Sequence, residues 1–463
     1  MIFNCLVVVA ALALLMSVAY RGFSVILFAP IAAMLAVLVT SPDAVPGAFT
    51  GLFMEKMVVF VKLYFPVFLL GAVFGKVIEL AGFSQSIAAA VIRLVGRQRA
   101  ILSIVLVCAL LTYGGVSLFV VVFAVYPFAA QMFRLAEIPK RLIPGTIALG
   151  AFTFTMDALP GSPQIQNIIP TSFFQTTTWA APRLGVIGAL FVLAAGLSYL
   201  EWRRRATHAE GYGKDHFNEP VGATAGTLRN PFLAVLPLVV VGVANKQLTG
   251  WINNHYGKSD EVALPGLEHP ISIQVASVAA IWAVEGALLL GILCVLISAW
   301  NPVRARFAEG SRTAIAGALL ASLNTASEYG FGAVIAALPG FLVIRDALKA
   351  IPNPLINEAI TVTTLAGITG SASGGLSIAL ATMGDHFVAA ARAAGIPLDV
   401  FHRVAAMASG GMDTLPHNGA VITLLAVTGL THRQAYRDIF AITCIKTAAV
   451  LVVIGVFYAS GIV

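Results

Sequence analysis

Charged residues are scarce in this chain. Only 11% of its 463 residues are Asp, Glu, Lys or Arg, whereas an ordinary soluble protein carries about 25%. Hydrophobic residues make up 59% of the chain, and the mean hydropathy is +0.91. This composition excludes an ordinary soluble protein and predicts one that lies in a membrane.

Motifs for cofactor and metal chemistry are also missing from the sequence. It has no Gly-rich phosphate loop, no metal-ligand cluster and no Ser/His/Asp motif, so we expect neither an enzyme, a cofactor nor a bound metal. The four cysteines have unrelated spacings inside apolar runs, which indicates no disulfide framework. The net charge of +7 is spread over loops, so nucleic acid is not an expected partner.

Long apolar runs recur through the chain, for example in residues 2–20, 58–80, 271–300 and 439–459. Several approach the roughly 20 residues that a helix needs to cross a bilayer. A barrel would instead alternate apolar and polar residues. The sequence therefore predicts an all-α polytopic membrane protein with roughly ten to twelve spans, allowing about 17–25 residues for each span.

One short pattern occurs twice inside apolar surroundings. The first copy is Met156-Asp157-Ala158-Leu159-Pro160, and the second is Met412-Asp413-Thr414-Leu415-Pro416. Their upstream Gly-Gly pairs repeat in the same order and at nearly the same spacing. Duplicated halves with broken apolar segments at matching positions are typical of secondary transporters.

The two halves differ in the charge of corresponding loops. Residues 41–57 contain no Arg, whereas the matching 301–312 segment is Arg-rich. Because positive residues mark cytoplasmic loops, this asymmetry favours two inverted-topology repeats over a parallel duplication. We predict a transmembrane repeat over 1–200, a cytoplasmic linker over 201–230 and a second transmembrane repeat over 231–463. Amphipathic interfacial helices are predicted over 84–99 and 343–354.

The segments that follow the two Asp residues are the candidate substrate site. Prolines and glycine prevent a continuous helix there, and irregular backbone at membrane depth must be buried in protein or line a cavity. Freed N–H groups with hydroxyl and amide side chains predict an anion site without fixed cations. A polar loop outside the membrane is the alternative. The candidate substrate-binding residues are Ser162, Gln166, Asn167, Thr414, His417 and Asn418.

The Gly-Gly stretches leave two interpretations open. Their small residues suit close packing of membrane helices. The hydroxyls around the second pair also suit an unwound segment that lines the substrate cavity. The candidates are Gly114, Gly115 and Ser117 in the first half, and Ser373, Gly374, Gly375 and Ser377 in the second.

Acidic residues in the apolar regions are candidates for proton coupling, because an ionisable group inside the membrane is a functional hypothesis by default. Asp157 and Asp413 lie beside the two breaks, and Glu328 opens an apolar Gly-rich run. The alternative for the two Asp residues is a helix N-cap, which is compatible with coupling. Glu285 is a further intramembrane acid.

The stretches AFTFTMDALPGSPQIQNIIPTSFFQTT and TGSASGGLSIAL resemble the gluconate permease (GntP) family of bacterial proton symporters. The resemblance covers essentially the whole chain. It implies an inner-membrane symporter for small hydroxy-acid anions such as gluconate or 3-hydroxybutyrate. Its motifs fall on residues 160–163, 166–167 and 373–377. Relatives often have Thr at the position of Asp157, which moves the coupling role toward Asp413 and Glu328.

The sequence prediction is therefore a secondary active transporter of the bacterial inner membrane that takes up a small hydroxycarboxylate with protons. A symported cation neutralises an anion that enters against a negative-inside potential. Sodium coupling, a passive anion channel and a membrane-embedded enzyme are the alternatives. The expected partners are the substrate, protons, membrane lipid and a second copy of the chain in a homodimer.

Overall fold

The computed structural model describes residues 2–21, 23–96, 99–116, 118–213, 228–266, 268–343, 351–416 and 418–463. The chain is almost entirely helical, as its composition predicts. The described helices are α1 (Ile2–Tyr20), α2 (Val25–Thr40), α3 (Pro42–Leu80), α4 (Phe83–Val95), α5 (Ala100–Tyr113), α6 (Leu118–Leu135), α7 (Ile143–Ala151), α8 (Phe154–Asp157), α9 (Ile165–Phe174), α10 (Pro182–Ala206), α11 (Pro231–Tyr256), α12 (Val275–Ser298), α13 (Trp300–Ala337), α14 (Pro354–Thr369), α15 (Ala372–Ala394), α16 (Leu398–Ser409), α17 (Gly419–Thr428) and α18 (His432–Ser460).

Five helices in the described part of the chain are long and apolar enough to span a membrane, namely α3, α10, α11, α12 and α18. Shorter apolar helices of 10–17 residues accompany them, including α2, α5 and α17. The protein is therefore an all-α polytopic membrane protein. The count of ten to twelve spans stays a prediction, because the shorter helices fall below the length for a complete crossing.

The order of the helices repeats along the chain. In the first half, α5, α6 and α7 are followed by a break, the short helix α9 and the long helix α10. In the second half, α14, α15 and α16 are followed by a break, the short helix α17 and the long helix α18. In each half, irregular backbone thus lies between two short helices, at the position where the Met-Asp sequence ends.

Corresponding long helices of the two halves pack against each other in opposite directions. On α3 and α13, the rings of Phe60 and Tyr329 lie 5.7 Å apart, while Gly310 lies beside Leu80. On α10 and α18, Arg203 pairs with Asp438 at 2.6 Å, and Gly188 lies beside Val453 toward the other end. Antiparallel packing of repeat partners is the arrangement that inverted-topology repeats produce.

Polar connections gather at one end of the helices. The guanidinium of Arg141 donates two hydrogen bonds to the carboxylate of Glu210 (2.7 and 2.9 Å). These hydrogen bonds lower the pKa of the Glu210 carboxyl. The guanidinium of Arg134 lies over the ring of Tyr212 at 5.1 Å. These contacts hold the start of the predicted linker against the end of α6. Between α11 and α12, β1 (Asp260–Val262) and β2 (Ile271–Ile273) form an antiparallel hairpin.

Part of the predicted domain organisation falls outside the described residues, which omit 214–227 of the linker and 344–350 of the second interfacial segment. The first interfacial segment is helical as α4, with its basic residue Arg93 at the end. The domain boundaries at 200 and 231 stay predictions.

Candidate transport site

The first break lies between α7 and α9 and contains only the single turn α8. Gly161 is in the left-handed region at φ +77°, and the indole ring of Trp179 occupies the space where a side chain at residue 161 would begin. Glycine is therefore required on both conformational and steric grounds. The sequence prediction of irregular backbone at Pro160–Pro163 is confirmed.

A buried arginine from the other half holds this irregular backbone. Arg403 on α16 is fully buried. It donates from Nη1 to the carbonyl oxygen of Asp157 (2.9 Å) and to Oδ1 of Asn167 (3.0 Å), and from Nη2 to the carbonyl oxygen of Ala180 (2.8 Å). A planar guanidinium with five donors suits such a set of buried acceptors. Arg403 thus supplies the hydrogen bonds that a regular helix would have made internally.

Two predicted substrate residues, Ser162 and Asn167, lie within this network. Ser162 Oγ donates to the carbonyl oxygen of Thr155 (2.7 Å). The Asn167 amide donates to the carbonyl oxygens of Ser162 and Thr178, both at 2.9 Å. Both side chains are completely buried, and in this conformation they stabilise the break. The neighbouring Gln166 differs, because its Oε1 is buried with no hydrogen-bond partner in the described part of the protein.

The second break lies between α16 and α17. Asn418 caps α17 by accepting from the N–H groups of Ala420 (2.6 Å) and Val421 (3.0 Å), and it donates to the carbonyl oxygen of Gly370 (2.7 Å). Asn418 therefore connects the second break to the loop that precedes the Gly-Gly stretch of α15. The predicted site residue His417 lies outside the described residues.

Thr414 and Asp413 connect the second break to α18. The hydroxyls of Thr414 and Thr443 lie 2.5 Å apart. The carboxylate of Asp413 forms a buried ion pair with Lys446. Lys446 Nζ also donates to the carbonyl oxygen of Phe152 in the first break (3.1 Å). One ammonium group therefore contacts both breaks.

Asp157, in the first half of the chain, lies beside the start of the second break. Its carboxylate occupies the space where a side chain at Gly410 would begin, so the glycine allows the two breaks to touch. The two repeated Met-Asp sequences consequently meet in a buried cluster of two acidic residues, Asp157 and Asp413, with two basic ones, Arg403 and Lys446. Both basic groups are built into this meeting point, and the expectation of an anion site without fixed cations stays a prediction.

The third acidic candidate, Glu328 on α13, lies at a different contact. Its carboxyl points at the first turn of α15, where Gly374 leaves room for it, and its Oε2 is buried without a hydrogen-bond partner in the described structure. The hydroxyls of Thr325 and Ser373 lie 3.3 Å apart beside it. Ser377 donates to the carbonyl oxygen of Ser373 (2.7 Å) within α15. This second polar cluster joins α13 to the start of α15.

The remaining Gly candidates make close helix contacts. A side chain at Gly114 would overlap Leu238 on α11, and one at Gly375 would overlap the backbone of Ala366 on α14. Gly115 has φ +95° and lies against Pro163 and Leu288. These three positions therefore pack closely against neighbouring elements, and their part in substrate binding stays a prediction. Ser117 lies outside the described residues.

Sequence reasoning missed the basic members of the site. Lys446 lies in the last long apolar run and Arg403 in a short amphipathic helix, and an isolated basic residue at membrane depth was the available signal. Glu358 on α14 was also missed, although it is fully buried and both carboxyl oxygens lack a partner in the described part of the chain.

A duplicated helical membrane protein with broken helices that meet at buried polar groups has an architecture found among transporters. No protein-family model matches the chain. The chain is 58% identical over 469 residues to the uncharacterized transporter YxjC of Bacillus subtilis (strain 168), and the match covers 99% of each protein. It therefore belongs to the same transporter family as YxjC, which is consistent with the prediction that it is not an enzyme. The crystal structure of the Alcanivorax borkumensis YdaH transporter is similar over 90% of each chain, with a TM-score of 0.48 and 15% identity.

Proposed function

We propose that this transporter carries small hydroxycarboxylate anions together with protons across the bacterial inner membrane. The observation that supports this proposal best is the buried Asp413–Lys446 ion pair, which contacts both helix breaks. Buried charges at membrane depth are costly and mark substrate or ion pathways. Here an acid and a base are paired at the point where the two halves touch.

The pair suggests how proton and anion binding are linked. When Asp413 is ionised, its carboxylate holds the Lys446 ammonium. A proton that binds to Asp413 removes this attraction and leaves the ammonium available for the carboxylate of a substrate. When the substrate leaves, Asp413 loses the proton and pairs with Lys446 again. One proton thus accompanies one carboxylate, and no net charge enters the site.

The surrounding groups suit a hydroxylated substrate. The hydroxyls of Thr414 and Thr443 lie near the breaks, and so does the Gln166 side-chain oxygen, which has no hydrogen-bond partner among the described residues. The resemblance to the gluconate permease family favours gluconate or 3-hydroxybutyrate as substrates. Convergence of Ser162, Asn167, Thr414, Asn418, Ser373 and Ser377 on one cavity, and the homodimer, remain predictions.

Transport into proteoliposomes tests the proposal. Labelled gluconate and 3-hydroxybutyrate are offered under an imposed pH gradient, an imposed sodium gradient or neither. We expect accumulation with an inward proton gradient. Accumulation driven by sodium alone would contradict proton coupling, and equilibration without accumulation under either gradient would indicate a channel.

The substitution D413N tests the coupling residue, because asparagine keeps the shape of the side chain and cannot release a proton. We expect D413N to lose proton-driven accumulation and to retain exchange of external for internal substrate, since exchange needs no net proton movement. D438N is the matched control, because Asp438 is also a buried acid and is paired across the halves with Arg203. Proton-driven uptake that persists in D413N at the wild-type level would move the role to Glu328, Asp157 or Glu358.

A further inference from the structure

A groove lies between α4, α6 and the start of α11. One part is a cavity of about 450 Å³ and the neighbouring part a cavity of about 540 Å³. Both are lined by Ala89 and Arg93, so the two cavities adjoin each other along α4 and together make up the groove. Among the described residues that line this groove, none belongs to the two helix breaks.

The lining of the groove combines basic and apolar groups. Arg93 on α4 and Arg229 before α11 are its charged residues, and the described lining includes no acidic side chain. Ile92, Phe128 and Met132 form the apolar wall. Such a combination matches a ligand with an anionic head and hydrocarbon chains.

The backbone beside Arg229 is fixed against α4. The N–H of Arg229 donates to Ser86 Oγ (2.9 Å), and the side chain of Asn230 caps α11 by accepting from the N–H of Phe232 (3.0 Å). The side chain of Phe232, which lines the groove, is 86% exposed, and so is that of Leu94, the neighbour of Arg93 on α4. Large apolar side chains in such a position are suited to contact lipid.

The position of the groove relative to the membrane also favours a lipid. It reaches Leu135 at the end of α6, the same end at which Arg134 contacts the start of the linker. Clustered Arg and Lys mark the cytoplasmic side of a membrane protein. Anionic phospholipids of the cytoplasmic leaflet bind in basic pockets between helices on this side.

We propose that this groove binds one anionic phospholipid, with its phosphate between Arg93 and Arg229 and its acyl chains along Ile92, Phe128 and Met132. Charge complementarity selects the occupant. A zwitterionic lipid would bring its own ammonium group next to two guanidinium groups, whereas phosphatidylglycerol would not.

Native mass spectrometry of the purified full-length chain tests the proposal by comparing bound phosphatidylglycerol and phosphatidylcholine. We expect selective retention of phosphatidylglycerol by the wild type. Since each basic residue near an anionic surface contributes about fivefold to affinity, the double variant R93Q/R229Q should bind phosphatidylglycerol about 30-fold more weakly. The control R304Q/R306Q removes the same charge from exposed positions of α13 and should keep wild-type binding.

Three outcomes would overturn the proposal. Equal retention of the two lipids would show that the groove has no anionic preference. An equal loss in R304Q/R306Q would assign the effect to overall charge. Competition by millimolar inorganic phosphate, lost in R93Q/R229Q, would identify a phosphate site instead of a lipid site. Each readout is lipid binding and does not depend on which substrate is transported.

Discussion

The Asp413–Lys446 ion pair makes a quantitative prediction about stability. The side chain of Lys446 is 3% exposed and that of Asp413 is 12% exposed, so either charge would be largely shielded from water after its partner is removed. Removing one partner of a buried pair costs about 3–5 kcal/mol, because the other charge remains without compensation. The relevant variants are D413N, D413A, K446Q and the double variant D413N/K446Q.

The contacts of Lys446 predict how much stability each of these variants loses. In D413N, an amide oxygen can still accept from the ammonium, and the Phe152 carbonyl oxygen remains at 3.1 Å. The cost is then mainly the lost charge attraction, about 3 kcal/mol, whereas D413A also removes the acceptor and should cost about 5 kcal/mol. The double variant restores a neutral hydrogen-bonded pair, so we expect a favourable interaction energy of about 2 kcal/mol in the mutant cycle.

Unfolding in mixed micelles with increasing SDS, followed by circular dichroism, gives the free energies. The cycle of D438N with R203Q provides the control, because that pair is also buried but lies away from both breaks. Both cycles should show coupling in stability, but only the Asp413 cycle should alter proton-driven transport. Additive effects of D413N and K446Q would refute the assignment of a stabilising ion pair.

The fold class and the breaks were predictable because their signals are local in sequence. Composition identifies a membrane protein, and Pro160, Gly161 and Pro163 exclude a continuous helix whatever the remainder of the chain does. The internal repeat is recognisable in the sequence because both halves contain the Met-Asp pattern. The antiparallel packing of α3 with α13 and of α10 with α18 agrees with the inverted topology inferred from the charge of residues 41–57 and 301–312, although these residues form the starts of α3 and α13 and not loops.

The partners of the candidate site were not predictable in the same way. Asp413 and Lys446 are separated by all of α17 and the first half of α18, and Arg403 reaches acceptors in the other half of the chain. No spacing rule within one helix relates these residues. Ser162 and Asn167 were interpreted only as ligands, because the carbonyl oxygens that accept from them lie 5 to 11 residues away along an irregular break, which no helical spacing describes.

Two further substitutions test the polar contacts. R403K should lower the thermal stability because a lysine cannot reach all the acceptors of Arg403, and each buried group left unsatisfied costs about 1–3 kcal/mol. The control R183K changes an exposed arginine of α10 and should have a smaller effect. Equal melting temperatures of R403K and R183K would contradict the role assigned to Arg403. G374A places a methyl group where the Glu328 carboxyl lies, and such overpacking costs about 1–3 kcal/mol. G317A, on an open face of α13, should be neutral or stabilising, because alanine favours helix. If the carboxyl is the obstacle, E328A should make room for the new methyl group, and the double variant G374A/E328A should be more stable than the sum of the single effects. Additive single effects measured by the same SDS unfolding would show that Gly374 is required for a reason other than the carboxyl of Glu328.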